Sequence, residues 1–115
     1  MHKIQVKGKK GKHWPAVKGI SGNDMFLIFF DYEKKGPIER PDFYILNFED
    51  WKKLTQKIYN NYKDERYEIE LDENYRISFK KAGETKTIYP GVDIELNHIR
   101  DFKELWGKIE SVATE

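Results

Sequence analysis

Polar and apolar residues alternate through Lys3-Ile4-Gln5-Val6-Lys7, so as a strand this segment sends Ile4 and Val6 to one face and Gln5 and Lys7 to the other. The following stretch, Gly8 to Pro15, holds two glycines and a proline and reads as a loop. Met25-Phe26-Leu27-Ile28-Phe29-Phe30 is apolar on both faces, the pattern of a central strand covered on both sides, and Asp31 ends it. Gly36 and Pro37 mark a connection into a further strand, Asp42-Phe43-Tyr44-Ile45-Leu46. Asn47, with Asp50 three residues later, opens a helix from about Phe48 to Tyr59, with Trp51, Leu54 and Ile58 on one face. Alternating segments Tyr67–Leu71 and Tyr75–Phe79 around Asp72-Glu73-Asn74 predict a hairpin, and Thr85–Tyr89 a short added strand. A closing helix from about Asn97 to Val112 carries Ile99, Phe102, Trp106 and Ile109 at helical spacing, weakened locally by Gly107.

These elements predict one α+β domain over residues 1–115, with a small mixed β-sheet and two main helices. Apolar residues make up 38% of the chain in separated runs and charged residues 36%, so a folded interior under a solvated surface is expected rather than disorder. No apolar run approaches membrane-spanning length, and there is no cysteine for disulfides or thiolate zinc sites, so the expected setting is the cytoplasm. The formal net charge of +1 conceals an asymmetry: residues 1–20 contain six lysines and no acid, which leaves the remainder acidic. Such a segment either binds phosphates by counterion release or is a solvated basic arm.

Several chemistries find no support in the sequence. His2, His13 and His98 lack H-x-H or H-x-x-x-H spacing, so no zinc site is expected. Gly8-Lys9-Lys10-Gly11-Lys12 is basic and glycine-rich without being a phosphate-binding loop of nucleotide hydrolases. There is no G-x-S-x-G and no cysteine nucleophile. Lys9, Lys10, Lys12, His13, Trp14 and Lys18 are the candidate nucleic-acid contacts, the lysines holding phosphates. Trp14 either stacks on an unpaired base or pins the loop onto the core. Trp51 and Trp106 are core residues, and Tyr59, Tyr62 and Tyr67 pack around a helix end.

Gln5 and Lys7, two apart on a strand, emerge side by side. In metal-dependent phosphodiester cleavage the first such residue offers an oxygen to a divalent ion and the lysine orients water or stabilises phosphoryl charge. Ile4-Gln5-Val6-Lys7-Gly8, the basic stretch with Trp14-Pro15, the strand Phe26–Asp31, Glu39–Leu46 with Asp50-Trp51, and the tail Gly91–Ile94 and Phe102–Ile109 together resemble the PD-(D/E)xK nuclease-like superfamily. The resemblance implies the later part of a restriction-endonuclease-like fold, with Gln5 and Lys7 at the catalytic positions, Gln5 at the metal, and Mg²⁺ as cofactor if the protein cleaves. In that family a helix, a strand and a metal-binding Asp precede the motif strand, whereas here Met1-His2-Lys3 precede Ile4. A neutral Gln carbonyl alone holds Mg²⁺ weakly.

Pro41-Asp42 follows the lysine and reads as a turn into a strand, while Asp24 and Asp31 read as surface strand ends. The expected function is therefore nucleic-acid binding, to DNA in the first place, by a shortened nuclease-like domain without effective catalysis. The alternatives are a protein-interaction or assembly module, or the C-terminal part of an Mg²⁺-dependent endonuclease. A short form also leaves an apolar face and an open sheet edge that a second copy would fill, which predicts a homodimer.

Overall fold

The computed structural model describes residues 3–9, 11–85 and 88–109. Its architecture is α+β. Strands β1 (Lys3–Lys9), β3 (Met25–Asp31) and β4 (Asp42–Asn47) form one mixed sheet in the order β1-β3-β4. β1 runs parallel to β3 and β4 antiparallel to it. Strand β2 (His13–Val17) pairs with β8 (Val92–Glu95), and β5 (Tyr67–Leu71), β6 (Ile77–Lys81) and β7 (Ile88–Pro90) make a three-stranded antiparallel sheet. Helix α1 spans Phe48–Asn61 and helix α2 Leu96–Ile99. No helix among the described residues is long and apolar enough to cross a membrane.

The apolar run of β3 is buried on both faces, as its pattern predicts. Leu27 and Phe29 join the main core with Trp14, Tyr44, Leu46, Trp51, Ile77 and Ile94, while Phe26 and Ile28 meet Ile45 in a second cluster across the sheet. Helix α1 starts where the polar pattern places it. The Asn47 side chain accepts from Asp50 N and the Asp50 carboxylate accepts from Asn47 N, both at 2.9 Å, satisfying two end donors reciprocally. Trp51, Leu54 and Thr55 then turn inward on successive turns.

Three expectations are corrected. The predicted loop from Gly8 to Pro15 contains the end of β1 and the start of β2. A register shift between Trp14 and Val17, with Ala16 at φ 49°, lets the proline sit in a strand without interrupting a regular ladder. The second hairpin strand begins at Ile77 rather than Tyr75, because Tyr75 adopts φ 59° and belongs to the turn that the Asp72 carboxylate fastens by accepting from Asn74 N and Arg76 N. The added strand is Ile88–Pro90; within the span predicted for it, Lys86 and Thr87 lie outside the described residues.

The closing helix is broken. After α2 and a 3₁₀ turn at Arg100–Phe102, Lys103 bridges to Tyr44 and Glu104 takes φ 55°, before a helical turn at 107–109. The Glu104 carboxylate accepts from the Arg40 guanidinium and from Trp106 Nε1. Ile99 and Phe102 thereby pack on the main core, and Trp106 and Ile109 on the cluster across the sheet, so four residues read as one helical stripe serve opposite faces. The predicted end at residues 110–112 lies outside the described residues.

Candidate functional site

The pairing of β1 with β3 sets which side chains of the basic segment act together. Gln5 lies opposite Leu27, Lys7 opposite Phe29 and Lys9 opposite Asp31. Residues directly across a ladder share a face, so Gln5, Lys7 and Lys9 stand on the side of the main core, at its margin, and Ile4 and Val6 on the other side. Gln5 and Lys7 are half-buried. An amide and an ammonium thus project side by side from one strand face.

Lys9 is corrected. It is only 7% exposed, and its ammonium lies 3.1 Å from Asp31 Oδ1 and 3.0 Å from Glu33 Oε2 while donating to the Gly11 carbonyl at 2.7 Å. The same nitrogen sits 4.6 Å from the centroid of the Trp14 ring. A cation placed between two carboxylates and an aromatic face has no free valence for a phosphate. Its hydrogen bond to Glu33 holds that carboxyl below the ordinary glutamate value. Asp31 also accepts from Glu33 N at 2.8 Å, so this strand-end acid is an internal counterion rather than a surface terminus.

Of the two readings of Trp14, the structure has the core anchor and not the base platform. At 1% exposure it meets Phe29 edge-on at 5.1 Å and Tyr44 at 6.3 Å, and its indole N–H points to the Phe30 carbonyl at 3.3 Å. A ring packed on these partners is a core anchor and presents no face to a base. Lys12 and Lys18 are exposed, and Lys10 lies outside the described residues. His13 is exposed and stands 3.8 Å from Asp93 Oδ2.

Magnesium would need at least one or two carboxylates here. Gln5 offers a neutral oxygen, and Asp31, on the same strand face, is held by Lys9. Among the described residues no three histidine or acidic groups gather into a cation-holding cluster. The residues present therefore do not fit Mg²⁺ by themselves, and no catalytic step is derived through it. What the segment offers is ammonium groups that reach solvent at least in part: Lys7 on the strand face, and Lys12 and Lys18 farther along the chain.

The sequence missed Asp31 and Glu33 as partners of Lys9, since a parallel pairing offset by 22 positions leaves no local signal. Comparison with protein-family models, with curated proteins and with solved structures finds no match to this chain.

Proposed function

We propose that the protein binds nucleic acid, DNA in the first place, through the cationic strip that runs from β1 into the segment after β2. The observation that carries this reading is the placement of Lys7, Lys12 and Lys18. All three reach solvent at least in part, from a stretch with no acidic residue, while Lys9 is the lysine in direct contact with Asp31 and with Glu33, whose charge Lys12 feels only at longer range. Phosphate contacts of this kind give affinity without sequence preference.

The reading is tested by titrating labelled duplex and single-stranded DNA at several salt concentrations. Affinity should fall linearly on a log–log plot, and Lys12→Gln or Lys18→Gln should each flatten the slope by roughly 0.7–0.9, uniformly across sequences. Binding absent at low salt, or independent of salt, would remove the proposal.

A second reading, assembly with another copy of the chain, is favoured by the outer edge of β1. Lys3 N donates to the Asp24 carbonyl at 2.9 Å and the Lys9 carbonyl accepts from Tyr32 N at 2.8 Å, so the odd-numbered residues spend their backbone groups on the β3 side. Ile4, Val6 and Gly8 then turn theirs outward, and among the described residues no strand pairs there. Ile4 is 48% and Val6 55% exposed.

Antiparallel pairing about a two-fold axis at Val6 sets Lys7 opposite Gln5 and Ile4 opposite Gly8, where the Phe30 ring lies flush on the strand: a Cβ at Gly8 would come within 2.3 Å of it. Lys3 falls opposite Lys9, a cation already outnumbered by its two carboxylates. Val6→Pro removes the outward N–H without touching the β3 ladder and is expected to turn a dimer into a monomer in light scattering at about 100 μM, within the range where weak strand-edge contacts show. Wild-type protein that is already monomeric there would dismiss this reading.

A further inference from the structure

Trp14 being buried, the exposed aromatic surface lies elsewhere. The inner face of the β5-β6-β7 sheet carries Ile77, Phe79 and Tyr89 in register with Leu71 and Ile69 on β5. Ile77 is buried in the main core, Phe79 half-buried and Tyr89 48% exposed, so this face emerges from the core. Helix α1 ends at Asn61 and leaves the far part of it uncovered.

The result is a cleft of two lobes, about 640 and 440 Å³, that share Ile58, Tyr62 and His98. Each lobe is of the size that holds a small ligand or one unit of a chain. In the smaller lobe the rings form two contacting pairs, Tyr62 with Phe79 at 5.4 Å and Tyr67 with Tyr89 at 6.1 Å. The larger lobe is bordered by the exposed lysines Lys53 and Lys57 of α1 and by Asp50 and Asp101, of which Asp50 is paired with Lys108 at 2.6 Å.

At the junction His98 Nδ1 accepts from Glu95 N at 2.9 Å, which leaves the proton of the neutral ring on Nε2 as a donor. Burial above all, with a smaller push from Lys57 and against the opposing charge of Glu95, lowers the pKa of this imidazole and favours the neutral ring. The cleft also adjoins the cationic strip. Ala16 and Asp93 line the smaller lobe, Ala16 N donates to Asp93 Oδ1 at 3.0 Å, and Lys18 follows two residues after Ala16.

Flat aromatic faces, a neutral donor and flanking ammonium groups along one trough suit a chain that alternates planar, polar rings with phosphates. Resting on the nucleic-acid reading above, we propose that this cleft is the subsite for unstacked bases of a single strand, with bases against Tyr67 and Tyr89 and phosphates held by Lys53, Lys57 and Lys18. Duplex DNA, whose bases are paired and stacked, gains nothing from it and uses the cationic strip alone. The protein should then prefer single strands.

The test uses a labelled oligothymidylate of about twelve nucleotides, an abasic oligomer of equal length, and the intact protein. The thymidylate should bind about tenfold or more tightly than the abasic chain, and Tyr89→Ala or Tyr67→Ala should each shrink that ratio severalfold. In the unmodified protein the backbone amide resonances of Tyr62, Tyr89 and His98 should shift on adding the thymidylate, a measurement independent of whether a variant folds.

Equal affinity for both oligomers, with those resonances unmoved but binding still weakened by Lys12→Gln, overturns the cleft and leaves the cationic strip standing. Failure of both oligomers to bind removes the strip as well. Displacement of the thymidylate from the cleft by polyglutamate of matched charge would assign the surface to an acidic protein partner and so also overturn the proposal.

Discussion

Replacing Lys9 by methionine is expected to destabilise the fold by about 3–5 kcal/mol, because it removes one partner of a buried ion pair and leaves the other charged. Asp31 is buried, its carboxylate faces the Lys9 ammonium at 3.1 Å, and the backbone of Glu33 supplies its other bond, which neutralises no charge. Glu33 is more accessible and can rehydrate, so the penalty belongs mainly to Asp31. The second variant is Asp31→Asn, which keeps the shape and removes the charge. Combined with Lys9→Met it should cost clearly less than the two single changes added together, since no unmatched charge then stays inside. Urea unfolding of the four proteins measures the coupling.

The same series separates two roles for this residue. A phosphate-binding lysine would lose DNA affinity on becoming methionine and leave stability almost unchanged. A structural one loses stability, and the folded fraction keeps its salt slope. Additive costs in the cycle, together with a flattened slope, would return Lys9 to the nucleic-acid interface.

What the sequence made legible follows from how locally each signal is written. The doubly buried β3, the Asn47–Asp50 cap of α1 and the Trp51, Leu54, Ile58 face all depend on residues within a few positions of one another, and the structure has them in place. Strands β2 and β8 pair across about two thirds of the chain, from His13–Glu95 to Val17–Val92, and each is too short to show a period by itself. Pro15 in β2 argued against a strand, and only the register shift beside it makes one possible. The stripe Ile99, Phe102, Trp106, Ile109 has the spacing of a helix. Its interruption comes from Glu104 in the left-handed region, held there by Arg40, a contact spanning 64 positions.

The candidate site divides along the same line. Alternation alone places Gln5 and Lys7 on one face, because a two-residue period is local. Counting charges over residues 1–20 could not find that Lys9 is consumed internally, since its counterions arrive from the end of β3. Nor could it place the rings of the cleft. Tyr62 stands at the cap of α1 and Tyr67, Phe79 and Tyr89 lie on three different strands, and their common cleft exists only once α1 lies across the sheet and stops short of its edge.

Gly19→Ala is expected to cost about 2–5 kcal/mol, from two causes that can be measured apart. The residue has φ +82°, a conformation that an alanine adopts at a penalty of about 1–2 kcal/mol. A Cβ built there would also fall 2.1 Å from Trp51 Cε2, inside the indole. The ring cannot retreat: Trp51 is fully buried and its Nε1 donates to the Tyr75 carbonyl at 3.0 Å, tying α1 to the β5–β6 turn. The smaller Trp51→Leu side chain vacates that space at its own cost of cavity and lost hydrogen bond, about 3 kcal/mol. In that background Gly19→Ala should retain only the backbone penalty, about 1–2 kcal/mol, so the pair couples strongly in a denaturant cycle. Equal costs of Gly19→Ala in both backgrounds would show that the indole does not hold this position, and would undo the packing that joins the segment after β2 to helix α1.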